Sequence, residues 1–498
     1  MIILQAVTKT MFTKQRVGLI LGPLSFILIQ FIPFNDLSLE GRNVLATTAW
    51  MAIWWILEAI PIAATALIPI VLFPITNAVS ISDTTAAYGH KYVFLYLGGF
   101  LIAIAIERWN LHKRIAMNII SAIGTKINLI ILGFMIATAF LSMWISNTAT
   151  SVMMLPIALA IIKQLEDNPS TSVNENKQFG KALLLSIAYS ASIGGVATII
   201  GTPPNLVLAG VVESNFGYEI SFFKWFVFGF PISIIMLFIC WQYLTKKAFK
   251  FEQNEFPGGK DEINRLKNNL GKMSVEEKRV GIIFFVTAIC WISRSFFLEK
   301  ILPGIDDTII AITFGLVLFV IPSGDNKRAL ITWNEAVKLP WGVIILFGGG
   351  MALAKGFVDT GLAVWIGGKL TILKDLPIIV LILCLVTAVN FLTEITSNLA
   401  TTAMLLPVLA TMSLQINVHP FVLMVGATVA ASCAFMLPVA TPPNAVVFGA
   451  GYLRIPDMVN KGFWLNIISI IVITLMVYFA LPLFWDISLT DSLMEYKN

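Results

Sequence analysis

Long apolar runs, each closed by a short polar or basic stretch, recur from Val17 to Trp485. Runs of roughly 15 to 25 residues are long enough for helices that cross a hydrocarbon layer of about 30 Å, and about ten to a dozen fit in a chain of this length. Because loops rich in Lys and Arg stay cytoplasmic, these residues set the expected direction of each crossing. Lys9, Lys14 and Arg16 start the chain inside; Val17–Phe34 leaves, Asn43–Leu57 returns, Ile62–Thr76 leaves and Val93–Ile106 returns to Arg108, Lys113, Arg114 and Lys126. The first run lacks a small-residue cleavage site, so it reads as a span and not as a removed signal peptide.

The next block, Ile127–Leu165, is interrupted by Ser146-Asn-Thr-Ala-Thr150 and carries lysines at both ends, which predicts a re-entrant hairpin with its polar tip in the membrane. Leu183–Gly210 then leaves and Phe222–Leu244 returns to 245–280, the longest polar loop and the expected cytoplasmic linker. Val280–Leu298 leaves, Thr308–Ile321 returns and Trp341–Ile366 leaves. A second interrupted block, Pro377–Leu414, has its polar tip at Thr396-Ser-Asn-Leu-Ala-Thr401 and enters from outside, although Lys369 and Lys374 run against the charge rule there. Phe421–Ala450 returns to Arg454 and Lys461, and Phe463–Trp485 leaves to an acidic tail with Asp486, Asp491 and Glu495. The reading is an all-α polytopic membrane protein with about eleven transmembrane helices plus two re-entrant hairpins, its N-terminus in the cytoplasm and its C-terminus outside.

The two halves repeat each other. Ile145-Ser-Asn-Thr-Ala-Thr-Ser-Val-Met-Met-Leu-Pro156 aligns without a gap to Thr396-Ser-Asn-Leu-Ala-Thr-Thr-Ala-Met-Leu-Leu-Pro407. Gly201-Thr-Pro-Pro-Asn205 aligns to Ala440-Thr-Pro-Pro-Asn444 downstream, and Leu97-Gly-Gly99 to Phe347-Gly-Gly349 upstream. This predicts a first repeat over 1–244 with its tip at 146–148, the linker 245–280, and a second repeat over 281–498 with its tip at 397–399. An odd number of expected spans separates the tips, so the repeats are inverted, the arrangement of alternating-access transporters whose sites lie where interrupted helices meet.

Composition narrows the functional classes. Of 498 residues 57% are apolar and 12% charged, against about 25% charged in ordinary soluble domains. The net charge of +5 sits in short loops between spans, where it orients the chain in the bilayer and implies no nucleic acid. The four cysteines lie in apolar runs, and His90, His112 and His419 have no second ligand at metal spacing. There is no nucleophile elbow or His-Glu-x-x-His, so nothing points to an enzyme.

Ser-Asn-Thr and Thr-Pro-Pro-Asn break helices, because Pro removes an N–H and Asn and Ser compete for backbone hydrogen bonds. Freed N–H groups at a half-helix N-terminus, with Asn and Thr side chains, can hold a carboxylate; freed carbonyls and Ser oxygens can hold Na⁺. Two matched sets suit an anion with two carboxylates. One such motif alone reads equally as interhelical glue with a proline kink, but packing does not require two matched pairs. Glu394 has a role near the second tip or makes a structural hydrogen bond to its hairpin, and the Gly348-Gly-Gly350 run reads as close helix packing.

These paired motifs, with Trp54-Trp-Ile-Leu-Glu-Ala-Ile-Pro61, resemble the divalent anion/sodium symporter family of dicarboxylate and citrate transporters over nearly the whole chain. The resemblance implies a homodimer in which scaffold domains form the interface while a transport domain carrying both hairpins moves as an elevator. It implies secondary transport of C4 or C5 dicarboxylates such as succinate, malate, fumarate and 2-oxoglutarate across the cytoplasmic membrane, coupled to Na⁺, with no organic cofactor. One Na⁺ site would use Ser142, Ser146, Asn147 and the Gly201 carbonyl; a second would use Thr393, the Thr396 carbonyl, Asn398 and the Ala440 carbonyl. The substrate would meet Asn147, Thr148 and Asn398, with Thr202, Pro203, Thr441 and Pro442 nearby. Leu399 departs from the family pattern, which has Thr there, so one hydroxyl is missing from the substrate side. Exchange of one dicarboxylate for another without net Na⁺ movement stays open, as do citrate as substrate and, more distantly, an anion channel.

Overall fold

A computed structural model describes residues 2–167, 173–251, 258–325, 327–369 and 374–490. Among them the chain is helical apart from turns and one isolated bridge, Pro322 to Ala329. Seven helices are long and apolar enough to cross a membrane by length and composition. Their outer surface carries Phe238, Ile282, Phe285, Phe479 and Leu483 exposed, which lipid tolerates and water would not.

The breaks fall where the motifs predict them. The first hairpin is Ile127–Ser142 followed by Asn147–Glu166, and the second is Ile378–Thr393 followed by Asn398–Gln415. The helix after each hairpin is also broken: Val173–Val196 restarts as Pro203–Phe216, and Pro420–Ala431 restarts as Pro442–Gly449. In both cases a proline opens the second half, where its missing N–H costs nothing. The halves then cross over. Pro203–Phe216 packs against the second arm of the second hairpin, and Pro442–Gly449 packs against the second arm of the first.

Small residues allow these helices to touch. A Cβ on Gly194 would lie 2.3 Å from the Ala139 carbonyl oxygen in the first hairpin, and one on Gly349 would lie 2.5 Å from the Ala66 carbonyl oxygen. The glycine run at 348–350 therefore serves close packing, as expected.

Two expectations change. The third run, Ile62–Thr76, is two short helices, Ile62–Thr65 and Ile68–Ile75, because Pro61, Pro69 and Pro74 punctuate it. The segment 245–280 is not an open loop. It contains the helix Gly259–Asn268, which packs on Leu111–Ile123 and on the first hairpin, and its end already belongs to the helix Val275–Ser293, started by a Ser274–Glu277 capping box. Asp491 and Glu495 of the acidic tail, and residues 252–257 of the linker, lie outside the described residues.

Ion pairs show which segments share an end of the bundle. Lys91 pairs with Glu213 at 2.6 Å and Arg294 with Glu219 at 2.6 Å, while Asp307 accepts from the Phe222 N–H at 2.7 Å. All of these were expected on one side. Arg108 pairs with Glu335 at 2.6 Å, Arg114 with Glu277 at 2.9 Å and Lys181 with Asp457 at 2.8 Å, joining segments expected on the other.

Candidate functional site

At the first tip the helix ends at Ser142 and restarts at Asn147, with Ser146 as its cap accepting from the Ala149 N–H at 3.2 Å. Ser142 Oγ lies 2.7 Å from the Ala191 carbonyl oxygen in the broken helix and 2.6 Å from one end of the Asn147 amide. That same end of the amide faces the carbonyls of Gly201 and Ala191, each at 3.3 Å. With its oxygen there, four oxygens converge on one hydroxyl proton, and only a cation among them satisfies the set; with its nitrogen there, the NH₂ donates to the other three.

The second tip repeats the pattern. Thr393 Oγ1 lies 3.0 Å from the Ala431 carbonyl oxygen and 2.8 Å from Asn398 Oδ1, again one proton between two acceptors. Hydroxyl and amide are five residues apart in both tips, so they flank the turn that links the two arms. The Thr396 hydroxyl turns away from this cluster to Thr401 Oγ1 at 2.6 Å and the Leu392 carbonyl at 2.9 Å.

The helix breaks match in detail. Gly201 N–H donates to the Thr198 carbonyl at 3.3 Å, and Ala440 N–H to the Leu437 carbonyl at 3.2 Å. Asn205 Nδ2 donates to the Thr198 carbonyl at 2.8 Å and the Gly195 carbonyl at 3.3 Å; Asn444 Nδ2 donates to the Leu437 carbonyl at 3.0 Å and the Ala434 carbonyl at 3.2 Å. Each Asn thus folds back to satisfy carbonyls that the broken helix leaves open. The other end of each amide, Asn205 Oδ1 and Asn444 Oδ1, is buried without a partner among the described residues. Gly201 has no room for a side chain, since a Cβ there would sit 2.5 Å from the Gly195 carbonyl oxygen.

The remaining residues singled out from the sequence are placed less symmetrically. Thr202 is buried and Pro203 half-buried; Thr441 is buried and caps Asn444 N–H at 3.3 Å, while Pro442 is exposed. Thr148 is exposed, but its counterpart Leu399 is 5% exposed and belongs to the apolar core. Glu394, 3% exposed, accepts from the N–H groups of Phe435, Met436 and Leu437 at 2.7, 2.9 and 3.0 Å and from Asn466 Nδ2 at 2.7 Å. Its carboxylate therefore caps the second break, the structural alternative left open by the sequence.

A model of the sodium:sulfate symporter transmembrane region matches residues 13–487. The chain belongs to the divalent anion/sodium symporter family. Within that family it is 49% identical over 493 residues to the sodium-dependent dicarboxylate transporter SdcS of Staphylococcus saprophyticus, covering 97% of this chain and 95% of that protein. It is 48% identical over 492 residues to SdcS of Staphylococcus aureus strain USA300, with the same coverage. In fold it is similar to the Alcanivorax borkumensis YdaH transporter, with a TM-score of 0.57 at 12% identity, and to Neisseria gonorrhoeae MtrF, with a TM-score of 0.54 at 13% identity. The chain is a multi-pass membrane transporter and not an enzyme. Among its described residues no three His, Cys, Asp or Glu gather as a metal site, so any cation held at the tips would be held by hydroxyl, amide and carbonyl oxygens.

Reasoning from sequence missed three parts of this site. The carbonyls of Ala191 and Ala431 carry no signature, since every residue has one. Asn466 lies in an otherwise apolar run, and an unpaired amide in a membrane helix was the available signal.

Proposed function

We propose that this chain couples the movement of C4 or C5 dicarboxylates to sodium across the cytoplasmic membrane. The observation that carries the reading is the pair of hydroxyl–amide–carbonyl clusters at Ser142, Asn147 and Ala191 and at Thr393, Asn398 and Ala431. With the Asn147 and Asn398 amide oxygens turned inward each holds more oxygens than it has protons, and neutral oxygens of this kind suit a hard monovalent cation. The names of the relatives support the same substrate class and the same ion.

A bound cation supplies positive charge beside the tips. Asn147, Thr148 and Asn398, with the N–H groups that open the helices at Asn147 and Asn398, then hold the two carboxylates, with Thr202, Pro203, Thr441 and Pro442 nearby. Ser142, Ser146, Asn147 and the Gly201 carbonyl form the first cation site, and Thr393, the Thr396 carbonyl, Asn398 and the Ala440 carbonyl the second. The two repeats, 1–244 and 281–498, sit inverted around this centre, and in a homodimer the hairpins and broken helices move together as an elevator against a scaffold. The crossed packing of each half-helix on the other repeat's hairpin supports a single moving unit.

Uptake of labelled succinate into proteoliposomes tests this. We expect uptake driven by an inward Na⁺ gradient with no dicarboxylate inside. Uptake that ignores Na⁺ and requires internal dicarboxylate would establish exchange instead, and currents far above transporter turnover would establish a channel. Cysteines placed at Lys267 and at Ser488 should label from the inside and outside respectively; the reverse would overturn the orientation.

A further inference from the structure

Away from the tips, a cavity of about 600 Å³ opens between the end of the helix Phe222–Tyr243 and the start of the helix Ile455–Leu475. Its lining is of two kinds. Lys247 and Lys461 supply ammonium groups, while Tyr243, Phe463, Trp464 and Ile468 supply apolar and aromatic walls; among the described residues no Asp or Glu lines it.

The local structure builds this shape. The first helix passes into a π-helical turn at Leu244–Ala248, which carries Lys247. Tyr243 Oη donates to the Lys461 carbonyl at 3.0 Å and ties the two walls together, and the Lys461 ammonium lies 5.6 Å from the centre of the buried Phe249 ring. From the cavity mouth an apolar stripe runs down the second helix through Trp464, Ile471 and Leu475, which are 59%, 50% and 45% exposed. Their spacing puts them on one face of the helix. The lysines sit at the polar end of this stripe, and an exposed Trp beside them is what the membrane–water boundary favours.

We propose that this cavity binds the headgroup of an anionic phospholipid, its phosphate between Lys247 and Lys461 and its acyl chains along the Trp464 stripe. Charge selects the occupant: two cations with no carboxylate among the described lining residues attract a phosphodiester, and a cavity opening onto an exposed apolar stripe requires a ligand with a hydrocarbon tail. Basic pockets between helices at a membrane surface hold lipid headgroups on this principle. The site is independent of the tips, so its failure would leave the transport reading untouched.

The test is lipid binding by native mass spectrometry of the purified full chain, titrated with phosphatidylglycerol or phosphatidylcholine. Wild type is expected to retain phosphatidylglycerol over phosphatidylcholine, and K247Q/K461Q to bind phosphatidylglycerol about tenfold more weakly, since each basic group near an anionic surface contributes substantially to such binding. K247R/K461R should keep the preference, and so should K272Q/K278Q, which removes two exposed lysines outside the cavity. Equal retention of the two lipids by wild type, or phosphatidylglycerol binding by K247Q/K461Q at the wild-type level, would overturn the proposal. So would displacement of the lipid by inorganic phosphate at equal concentration, because the site would then be one for a free anion.

Discussion

The two halves of the site build one polar frame by different means. In both, a hydroxyl and an amide five residues apart meet a carbonyl of the next helix, and an Asn after Thr-Pro-Pro closes the break. The supports differ. The first break is buried, with the Thr198 hydroxyl donating to the Met143 carbonyl at 2.5 Å and the Trp225 indole to the Val196 carbonyl at 2.9 Å. The second is more open, with Val439 and Pro442 exposed, and it is held by the Glu394 carboxylate. Freed carbonyls need donors and freed N–H groups need acceptors, so the first half recruits a hydroxyl and an indole where the second recruits a carboxylate. The arrangement that repeats is the one proposed to touch ions and substrate, while the parts that hold it in place have diverged.

The strongest way to break the comparison is to remove the shared element. Asn147→Ala and Asn398→Ala should each abolish Na⁺-driven succinate uptake while the purified proteins remain folded. A hydrogen bond to a charged group contributes about 1.5–3 kcal/mol, and each amide is assigned to both a cation and a carboxylate. Wild-type uptake by both would refute the assignment.

Gly201→Ala should come next. The added methyl must displace the Gly195 carbonyl, and such overpacking costs about 1–3 kcal/mol, so uptake should fall severalfold with a lower melting temperature. Ala440→Gly, at the matching position, removes a methyl where Gly201→Ala adds one, and should change transport far less. Equal losses in both would show that the Gly201→Ala effect is not one of crowding.

Glu394→Gln tests the divergent supports. It sets an NH₂ among four donors and leaves buried N–H groups unpaired, each costing about 1–3 kcal/mol, so thermal unfolding should shift clearly downward. Trp225→Phe removes a single neutral bond at the first break, where the Val196 carbonyl keeps the Asn205 amide within reach, and adds a small cavity at a buried ring, so it should lower the melting temperature less. If the two variants melt alike, the second break is not held by the carboxylate.

The smallest effect on binding is expected at Leu399. The missing hydroxyl leaves open whether Leu399→Thr would strengthen the second half-site. The burial of Leu399 in the apolar core answers that the side chain packs, so Leu399→Thr should leave succinate affinity within about twofold while lowering stability through lost packing. A selective gain for succinate over a monocarboxylate would reverse this.

The class of protein, the positions of its breaks and the pairing of its halves were determined by the sequence alone. Each rests on local chemistry: apolar length for spans, Pro and Asn for breaks, and repetition of Ser-Asn and Thr-Pro-Pro-Asn for the pairing. The third run was misread because closely spaced prolines interrupt an apolar stretch without changing its hydropathy. Only the tertiary structure decided which oxygens converge. The Ala191 and Ala431 carbonyls belong to residues with no polar side chain, and Asn466 reaches Glu394 from 72 positions away. Whether Glu394 faces an ion or a row of N–H groups, and whether Leu399 faces substrate or core, depends on how separate helices are rotated against one another, and no local run of residues carries that information.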